Sequence, residues 1–125
     1  MKSLFISVYN KKKVKVDSNN IVYLQAQINY TKIFLIDETS ILVAKTLKSF
    51  EREFQGQDFY SFYRSNKTFI VNLDKIQNVE EIDNVLQIQL SNSIKVSVSR
   101  RKRKAFISNF RKSTSREILM KQKSI

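Results

Sequence analysis

Residues 100–104 place five consecutive cations, Arg-Arg-Lys-Arg-Lys, directly behind the alternating apolar segment 94–98. Neighbouring like charges repel one another, and in the first turn of a helix that begins after Ser99 they would also meet the positive end of the helix macrodipole. Because the fold gains nothing from this arrangement, the run indicates an anionic partner. Nucleic acid phosphate is the commonest such partner for a basic chain. The alternative for the run alone is a solvated charge segment near a chain end.

The net charge of +12 is concentrated in the last third of the chain. Residues 1–94 carry 12 Lys and Arg against 10 Asp and Glu, whereas residues 95–125 carry 11 basic residues against one acid, Glu117. A protein that needs charge only for solubility would spread it. The asymmetry therefore predicts a surface that binds a polyanion.

Residues for enzymatic chemistry are scarce. The chain has no Cys and no His, which removes disulfides, thiolate chemistry, the commonest general base and the commonest transition-metal ligand. The candidate carboxylates lie at 37–38 and 80–83, where adjacent residues of an extended chain point to opposite faces, so turn and surface roles account for them. No glycine-rich phosphate loop, nucleophile elbow or metal-ligand spacing is present. The sequence predicts a protein that is not an enzyme and needs no cofactor.

Length and composition predict one folded domain. The 125 residues leave no room for a second sizeable core, and 42% hydrophobic content with nine Phe and five Tyr argues against disorder. No segment approaches the roughly 18 consecutive apolar residues of a membrane span. The apolar start is too short for a signal peptide and soon meets Lys11–Lys13. We therefore expect a cytoplasmic protein with no membrane partner.

Most of the chain alternates apolar and polar residues with period two, which predicts short strands at hairpin spacing. These strands are expected at residues 4–8, 13–16, 21–27, 31–36, 41–44, 59–63, 68–72, 79–82, 85–90 and 94–98. Residues 46–54 differ, because Leu47, Phe50 and Phe54 are spaced three and four apart on one helical face. Thr46 is a plausible N-cap, and Gly56 follows as a stop signal.

A second helix is expected from residue 100 to about residue 110, with Ala105, Phe106 and Phe110 inward. Beyond it, residues 113–125 read as a frayed basic tail. Residues 1–17 read as an N-terminal extension or a first hairpin, and residues 18–112 as the domain proper. The predicted fold class is mainly β, with small antiparallel sheets and one or two short helices.

The segment 59–68 has two interpretations. The aromatic residues at 59–63 could stack on single-stranded bases, or they could be a strand with one face in the core, which we favour. The following loop, 64–68, offers Arg64 and Lys67 to phosphates or guanine edges and Asn66 to adenine. Alone, this loop is an ordinary polar turn.

Three blocks of the chain, in order, resemble the LytTR-type DNA-binding domain. They are residues 21–26 with 30–33, residues 62–76, and residues 94–101, with 46–51 before the second block. The second block is the most specific, because it follows the family pattern of two aromatic residues, Arg, a polar pair and an aromatic-Ile-Val-Asn run. The chain departs from that pattern at Asn66, usually His, and at Lys67, usually Arg. The resemblance covers about residues 18–110.

The resemblance implies a stack of small antiparallel sheets that binds bacterial promoter DNA through loops in successive major grooves. By position, it implies base contacts by Thr31, Lys67 and Arg101. It also implies contacts to the DNA backbone or neighbouring groups by Tyr30, Lys32, Arg64, Asn66, Arg100, Lys102 and Arg103. The departures at Asn66 and Lys67 imply a DNA sequence preference different from that of relatives with His and Arg.

The family resemblance also implies partners. Its members typically bind paired direct repeats as two protomers, so we expect a dimer on double-stranded DNA. Family members usually carry a receiver domain or a membrane segment, and residues 1–17 are too short for a receiver. We therefore expect a stand-alone transcription regulator, controlled by expression level, a regulatory protein partner or a ligand. An excised domain is the alternative.

Two other function classes stay open from the sequence. The runner-up is a sequence-tolerant module for single-stranded nucleic acid or RNA, and the third is a basic structural protein that touches acidic membrane or protein surfaces. Competition of labelled duplex by unlabelled duplex, single strand and RNA at fixed salt separates these classes.

Overall fold

The computed structural model describes residues 3–8, 12–56, 61–114 and 119–120. Its elements in chain order are β1 (Ser3–Val8), β2 (Lys12–Asp17), β3 (Ile21–Gln27), β4 (Tyr30–Leu35), β5 (Ser40–Val43), α1 (Leu47–Gly56), β6 (Phe62–Arg64), β7 (Phe69–Asn72), β8 (Ile76–Ile82), β9 (Val85–Leu90), β10 (Lys95–Val98), α2 (Arg103–Thr114) and β11 (Leu119–Met120). Short 3₁₀ turns occupy Ser18–Asn20, Leu73–Lys75 and Arg100–Lys102.

The described strands form three sheets. β1 and β2 make a two-stranded hairpin, a five-stranded sheet has the order β5-β4-β3-β7-β6, and a four-stranded sheet has the order β10-β9-β8-β11. All pairings are antiparallel except the short one between β8 and β11. The prediction of a mainly β fold with small antiparallel sheets and two helices is confirmed.

Two clusters of apolar side chains form the core. One lies between the four-stranded sheet, one face of the five-stranded sheet and α2, and it contains Tyr23, Phe106 and Phe110. The other lies between the opposite face of the five-stranded sheet and α1, and it contains Phe50 and Phe54. β3 contributes to both clusters, because its side chains alternate in direction apart from an irregularity between Ile21 and Tyr23. The two helices therefore pack on different clusters.

Connections of the five-stranded sheet converge at one end. β3 ends where β7 begins, because Gln25 pairs with Phe69 and the Ala26 amide donates to the Thr68 carbonyl at 2.8 Å. The β3–β4 turn, the connection from β5 to α1 and the loop from β6 to β7 all lie at this end, as the antiparallel registers require. This end of the sheet therefore carries three of the chain's polar loops side by side.

The structure differs from the sequence predictions in a few places. Phe106 and Phe110 of α2 are buried as predicted, but Ala105 is exposed and Ile107 packs against the core instead. Residues 100–102 form a 3₁₀ turn before α2 rather than its first turn. In the predicted frayed tail, α2 continues to Thr114 and Leu119–Met120 pairs with β8. Residues 59–60 of the predicted aromatic strand lie outside the described residues.

Candidate nucleic-acid interface

Asn66 holds the loop 64–68 in shape through three hydrogen bonds. Its side-chain Oδ1 accepts from the amides of Thr68 at 2.8 Å and Phe69 at 3.0 Å. Its Nδ2 donates to the Ser97 carbonyl of β10 at 2.7 Å. Asn favours turns because its short side chain reaches backbone groups two residues on. Asn66 therefore fixes both the curvature of the loop and its position against the four-stranded sheet.

The Arg64 guanidinium holds the same loop from the other side. Its Nε donates to the Asn66 carbonyl at 3.3 Å and its Nη2 to the Lys67 carbonyl at 3.0 Å. Its Nη1 lies 3.4 Å from a carboxylate oxygen of Glu51 on α1. With only 21% of its side chain exposed, Arg64 has most of its donors already directed at protein acceptors.

Lys102 and backbone bonds join the 3₁₀ turn Arg100–Lys102 to this loop. The Ser99 amide donates to the Ser65 carbonyl at 2.9 Å, and Lys102 Nζ donates to the Arg64 carbonyl at 3.0 Å. Burial lowers the pKa of the Lys102 ammonium, which Glu51 raises in part and Arg64 and Arg101 lower further. The turn and the loop are thus one rigid unit, although more than 30 residues separate them in sequence.

Arg103 is the third cation that the protein itself engages. Its guanidinium pairs with the Glu81 carboxylate and donates to the Asn84 carbonyl at 3.2 Å. Glu81 and Asn84 belong to the β8–β9 hairpin, so Arg103 fixes the start of α2 against that hairpin. We refer to Arg64, Lys102 and Arg103 as the tethered cations.

Lys67, Arg100 and Arg101 behave differently, and we refer to them as the free cations. All three are exposed, and within the described part of the chain their side chains make no hydrogen bond or ion pair. Lys67 and Arg101 line a shared open groove of about 250 Å³, together with Arg64, Asn66, Ser99 and Lys102. The structure therefore brings two of the predicted base-contacting residues into one groove, held there by the tethered cations and Asn66.

The β3–β4 segment does not present its predicted residue. Thr31 is completely buried, and its hydroxyl donates to the Lys45 carbonyl at 2.6 Å, so this side chain is not accessible to DNA. Lys32 is half-buried, with Nζ 5.2 Å from the centre of the Phe34 ring. Tyr30 is 40% exposed. The burial of Thr31 argues against the base contact expected of this residue.

Sequence reasoning missed the residues that this end of the sheet exposes. Ile28 and Asn29 form the tip of the β3–β4 hairpin, and Ile28 is 89% exposed. Lys48, in the first turn of α1, lines a second groove of about 240 Å³ with Asn29, Tyr30 and Arg64. Arg64 borders both grooves, so the two are adjacent. The signal for Ile28 was available, since an isoleucine is unusual at a turn position.

These observations define a β-rich module with a basic, loop-built surface. Among the described residues no group of Asp, Glu, Cys or His could hold a metal ion. A family model for the LytTr DNA-binding domain matches residues 11–111, which is most of the chain. The chain therefore belongs to the LytTr DNA-binding domain family, and the predicted resemblance is confirmed.

A solved structure supports the same fold. The chain is similar to a LytTr DNA-binding domain from Bacillus cereus, which comes from a protein described as a methyl-accepting/DNA response regulator. The TM-score is 0.68 at 21% sequence identity, over 87% of this chain and 96% of the other. A search of curated proteins finds no match.

Family membership gives the general function. LytTr domains bind DNA and act in transcription regulation, and they are not a family of enzymes. DNA is therefore the partner of this chain. Within the part of the chain that the structure describes, no helix has the length and apolarity to cross a membrane.

Proposed function

We propose that the chain recognises specific double-stranded DNA sites and regulates transcription by reading major grooves through loops. The observation that carries this proposal is the arrangement of Lys67 and Arg101. Both are exposed and unengaged by the described part of the protein, yet both stand on segments that are fixed by hydrogen bonds. Because the backbone of both segments is already fixed, binding has to order only the two side chains, and a defined starting position for each is what direct base readout needs.

The two residues have different capacities for readout. The Arg101 guanidinium presents two parallel donors that match guanine O6 and N7 in the major groove. The Lys67 ammonium is a point charge with less geometric selectivity. Arg101 is therefore the stronger discriminator in the proposal. Arg100 contacts phosphate beside it, because an exposed cation next to a reading residue positions the protein without carrying sequence information.

The remaining predicted contact residues take a different role in the proposal. Arg64, Asn66, Lys102 and Arg103 direct their side chains mainly at protein groups, so they position the loops and add positive potential rather than supply separate DNA contacts. Tyr30 of β4 and Lys48 of α1 border the groove at the same end of the sheet, and they are proposed to contact the DNA backbone. Lys32 is proposed to add positive electrostatic potential without contacting the DNA.

The runner-up, a sequence-tolerant module for single strands or RNA, needs exposed aromatic rings on which bases stack. In the described part of segment 59–64, Phe62 is buried against Phe54 at 4.4 Å between ring centres, and Tyr63 packs edge-on against Phe106. The described part of the candidate aromatic platform is therefore core. This favours duplex binding over single-strand binding. The proposed assembly is two protomers on paired direct repeats, and a regulatory protein partner is the proposed means of control.

The proposal is tested by selecting binding sites from random duplex with the wild-type protein, followed by competition at fixed salt. We expect a defined motif, present twice in the recovered sites, and competition by the selected duplex at least about tenfold better than by random duplex or single strand, since specific sites exceed non-specific ones by large factors. Recovery of no motif, or equal competition by single strand, would refute sequence-specific duplex recognition.

A further inference from the structure

Ile28 is the most exposed large apolar residue among those described, with 89% of its surface accessible. It occupies the first position of the two-residue turn between Gln27 and Tyr30, which pair directly. Turn residues are usually Gly, Asn, Asp, Ser or Pro, each for its backbone behaviour or its polar side chain. Isoleucine has neither property. Burial in the core does not explain it either, so the fold itself gives no reason for this side chain.

The β8–β9 hairpin provides a comparison, because its turn is built from the residue types that usually form such turns. Its two-residue turn is Asp83-Asn84, with φ of 52° and 67°. Both residues are left-handed, as in the type I′ turn that matches the twist of a hairpin. In the β3–β4 turn only Asn29 is left-handed, with φ of 64°. A β-branched residue resists positive φ, so Ile28 makes the turn less suited to its hairpin.

The position of Ile28 places it at the same end of the sheet as Lys67. The Ala26 amide donates to the carbonyl of Thr68, the residue after Lys67. Ile28 lies two residues beyond Ala26, about 7 Å further along the strand at the usual rise per residue. The tip therefore extends from the end of the sheet where the loop 64–68 and the basic grooves lie.

The chemistry of the side chain limits what it can recognise. Isoleucine has no donor or acceptor, so it cannot read the polar atoms of a base edge. In the major groove one base, thymine, presents an apolar group, its C5-methyl. Contact between Ile28 and that methyl removes both apolar surfaces from water. The charged phosphates would gain nothing from an isoleucine.

We propose that Ile28 is a specificity-determining residue that contacts a thymine methyl group in the major groove. This rests on the proposed function, because it presumes a duplex site read by the neighbouring loops. It adds an apolar element to a surface otherwise built from cations and amides. The alternative use of an exposed apolar tip is a wedge between base steps in the minor groove, which bends the duplex.

The experiment uses the site selected by the wild-type protein and replaces each thymidine in turn by deoxyuridine, which lacks only the C5-methyl. We expect a loss of about fourfold in affinity at one position of each half-site, the value of one buried methyl group. Ile28→Ala should bind the thymidine and deoxyuridine sites equally, and Ile28→Val should show an intermediate ratio. Ile36→Ala is the matched control, because Ile36 is also exposed and follows β4 at its opposite end.

Each outcome decides the inference. A methyl effect that disappears in Ile28→Ala and persists in Ile36→Ala, at unchanged melting temperatures, supports it. A selected motif in which no deoxyuridine changes affinity overturns the thymine contact while leaving the proposed function standing. Loss of duplex bending in Ile28→Ala without any methyl effect overturns it in favour of the wedge. If the wild-type protein selects no motif, both proposals are overturned together.

Discussion

The tethered cations and the free cations lie on the same two segments of the chain but have different roles. Arg64, Lys102 and Arg103 point into the protein and bond to carbonyls and carboxylates, whereas Lys67, Arg100 and Arg101 point to solvent from the same backbone. A cluster of positive charge is therefore not a uniform phosphate-binding patch. Part of it supplies the framework, and the other part is left for the ligand.

The difference has an energetic basis. Hydrogen bonds of charged groups contribute about 1.5–3 kcal/mol each to the free energy of unfolding, more than neutral ones. The tethered cations thus offset some of the repulsion that five consecutive charges create. The free cations obtain no such compensation from the described part of the protein, so their repulsion is relieved only when an anion binds.

The largest expected effect concerns the free cations as a group. With about 5–8 phosphates neutralised, the logarithm of duplex affinity should fall against the logarithm of salt concentration with a slope of about −4 to −7. The triple variant Lys67→Ala, Arg100→Ala, Arg101→Ala should make that slope shallower by about 1 unit, since Arg100 is the proposed phosphate contact among the three and one such contact is worth about 0.9, and it should lose specific binding with its two base-reading residues. Fluorescence anisotropy titrations between low and moderate salt measure both slopes.

The stability of this triple variant is its control. Because the free cations are exposed and unengaged, the free energy of unfolding should stay within about 0.5 kcal/mol of wild type for each substitution. A wild-type slope shallower than about −2 would contradict phosphate anchoring. An unchanged slope in the triple variant would show that other cations carry the contacts.

Asn66→Ala tests the framework. The change removes three hydrogen bonds and leaves the Thr68 and Phe69 amides without their acceptor. We expect the free energy of unfolding to fall by about 2–3 kcal/mol and specific duplex affinity to fall more than tenfold, although Lys67 and Arg101 are intact. Urea denaturation and anisotropy measure the two effects.

Ser65→Ala is the matched control for Asn66→Ala in the same loop. Ser65 is fully buried, and its hydroxyl has no hydrogen-bond partner among the described residues, so its removal should not destabilise the protein. If Asn66→Ala kept wild-type stability and affinity, the loop would not depend on this side chain, and the division into framework and reading residues would fail.

A smaller effect separates one member of each cation group. Arg101→Ala should lose about 1–3 kcal/mol of discrimination at one base position while unfolding as the wild type does. Arg103→Ala should retain the motif but lower the free energy of unfolding, because Glu81 then loses its ion-pair partner. Binding-site selection and thermal denaturation of both variants make the comparison. The reverse pattern would interchange the two roles.

The smallest expected effect is a shift in the preferred DNA sequence rather than a loss of affinity. Lys67→Arg replaces a point charge by a bidentate fork at an exposed position, so it should sharpen or shift preference at a base position different from that of Arg101. Selected sites from wild type and variant should differ there and agree elsewhere. Identical motifs would indicate that Lys67 contacts phosphate only.

The sequence was sufficient for the fold class, because period-two alternation and the three- and four-residue spacing of Leu47, Phe50 and Phe54 are local signals. The family resemblance named Lys67 and Arg101 together, and the structure places both in one groove. The sequence could not separate tethered from free cations, because that depends on contacts such as Lys102 with Arg64, which are distant in sequence. The burial of Thr31, whose hydroxyl donates to the Lys45 carbonyl, could not be predicted from the sequence for the same reason.

The three hydrogen bonds of the Asn66 side chain have a consequence for the evolution of this domain. The loop keeps its shape through the side chain at 66 and through backbone groups, none of which involves the side chain at 67. Under the proposed function, a mutation at 67 would alter the DNA preference without a folding penalty. The conformation of the loop does not depend on residue 67, so a single codon change at this position would give a different set of target sites.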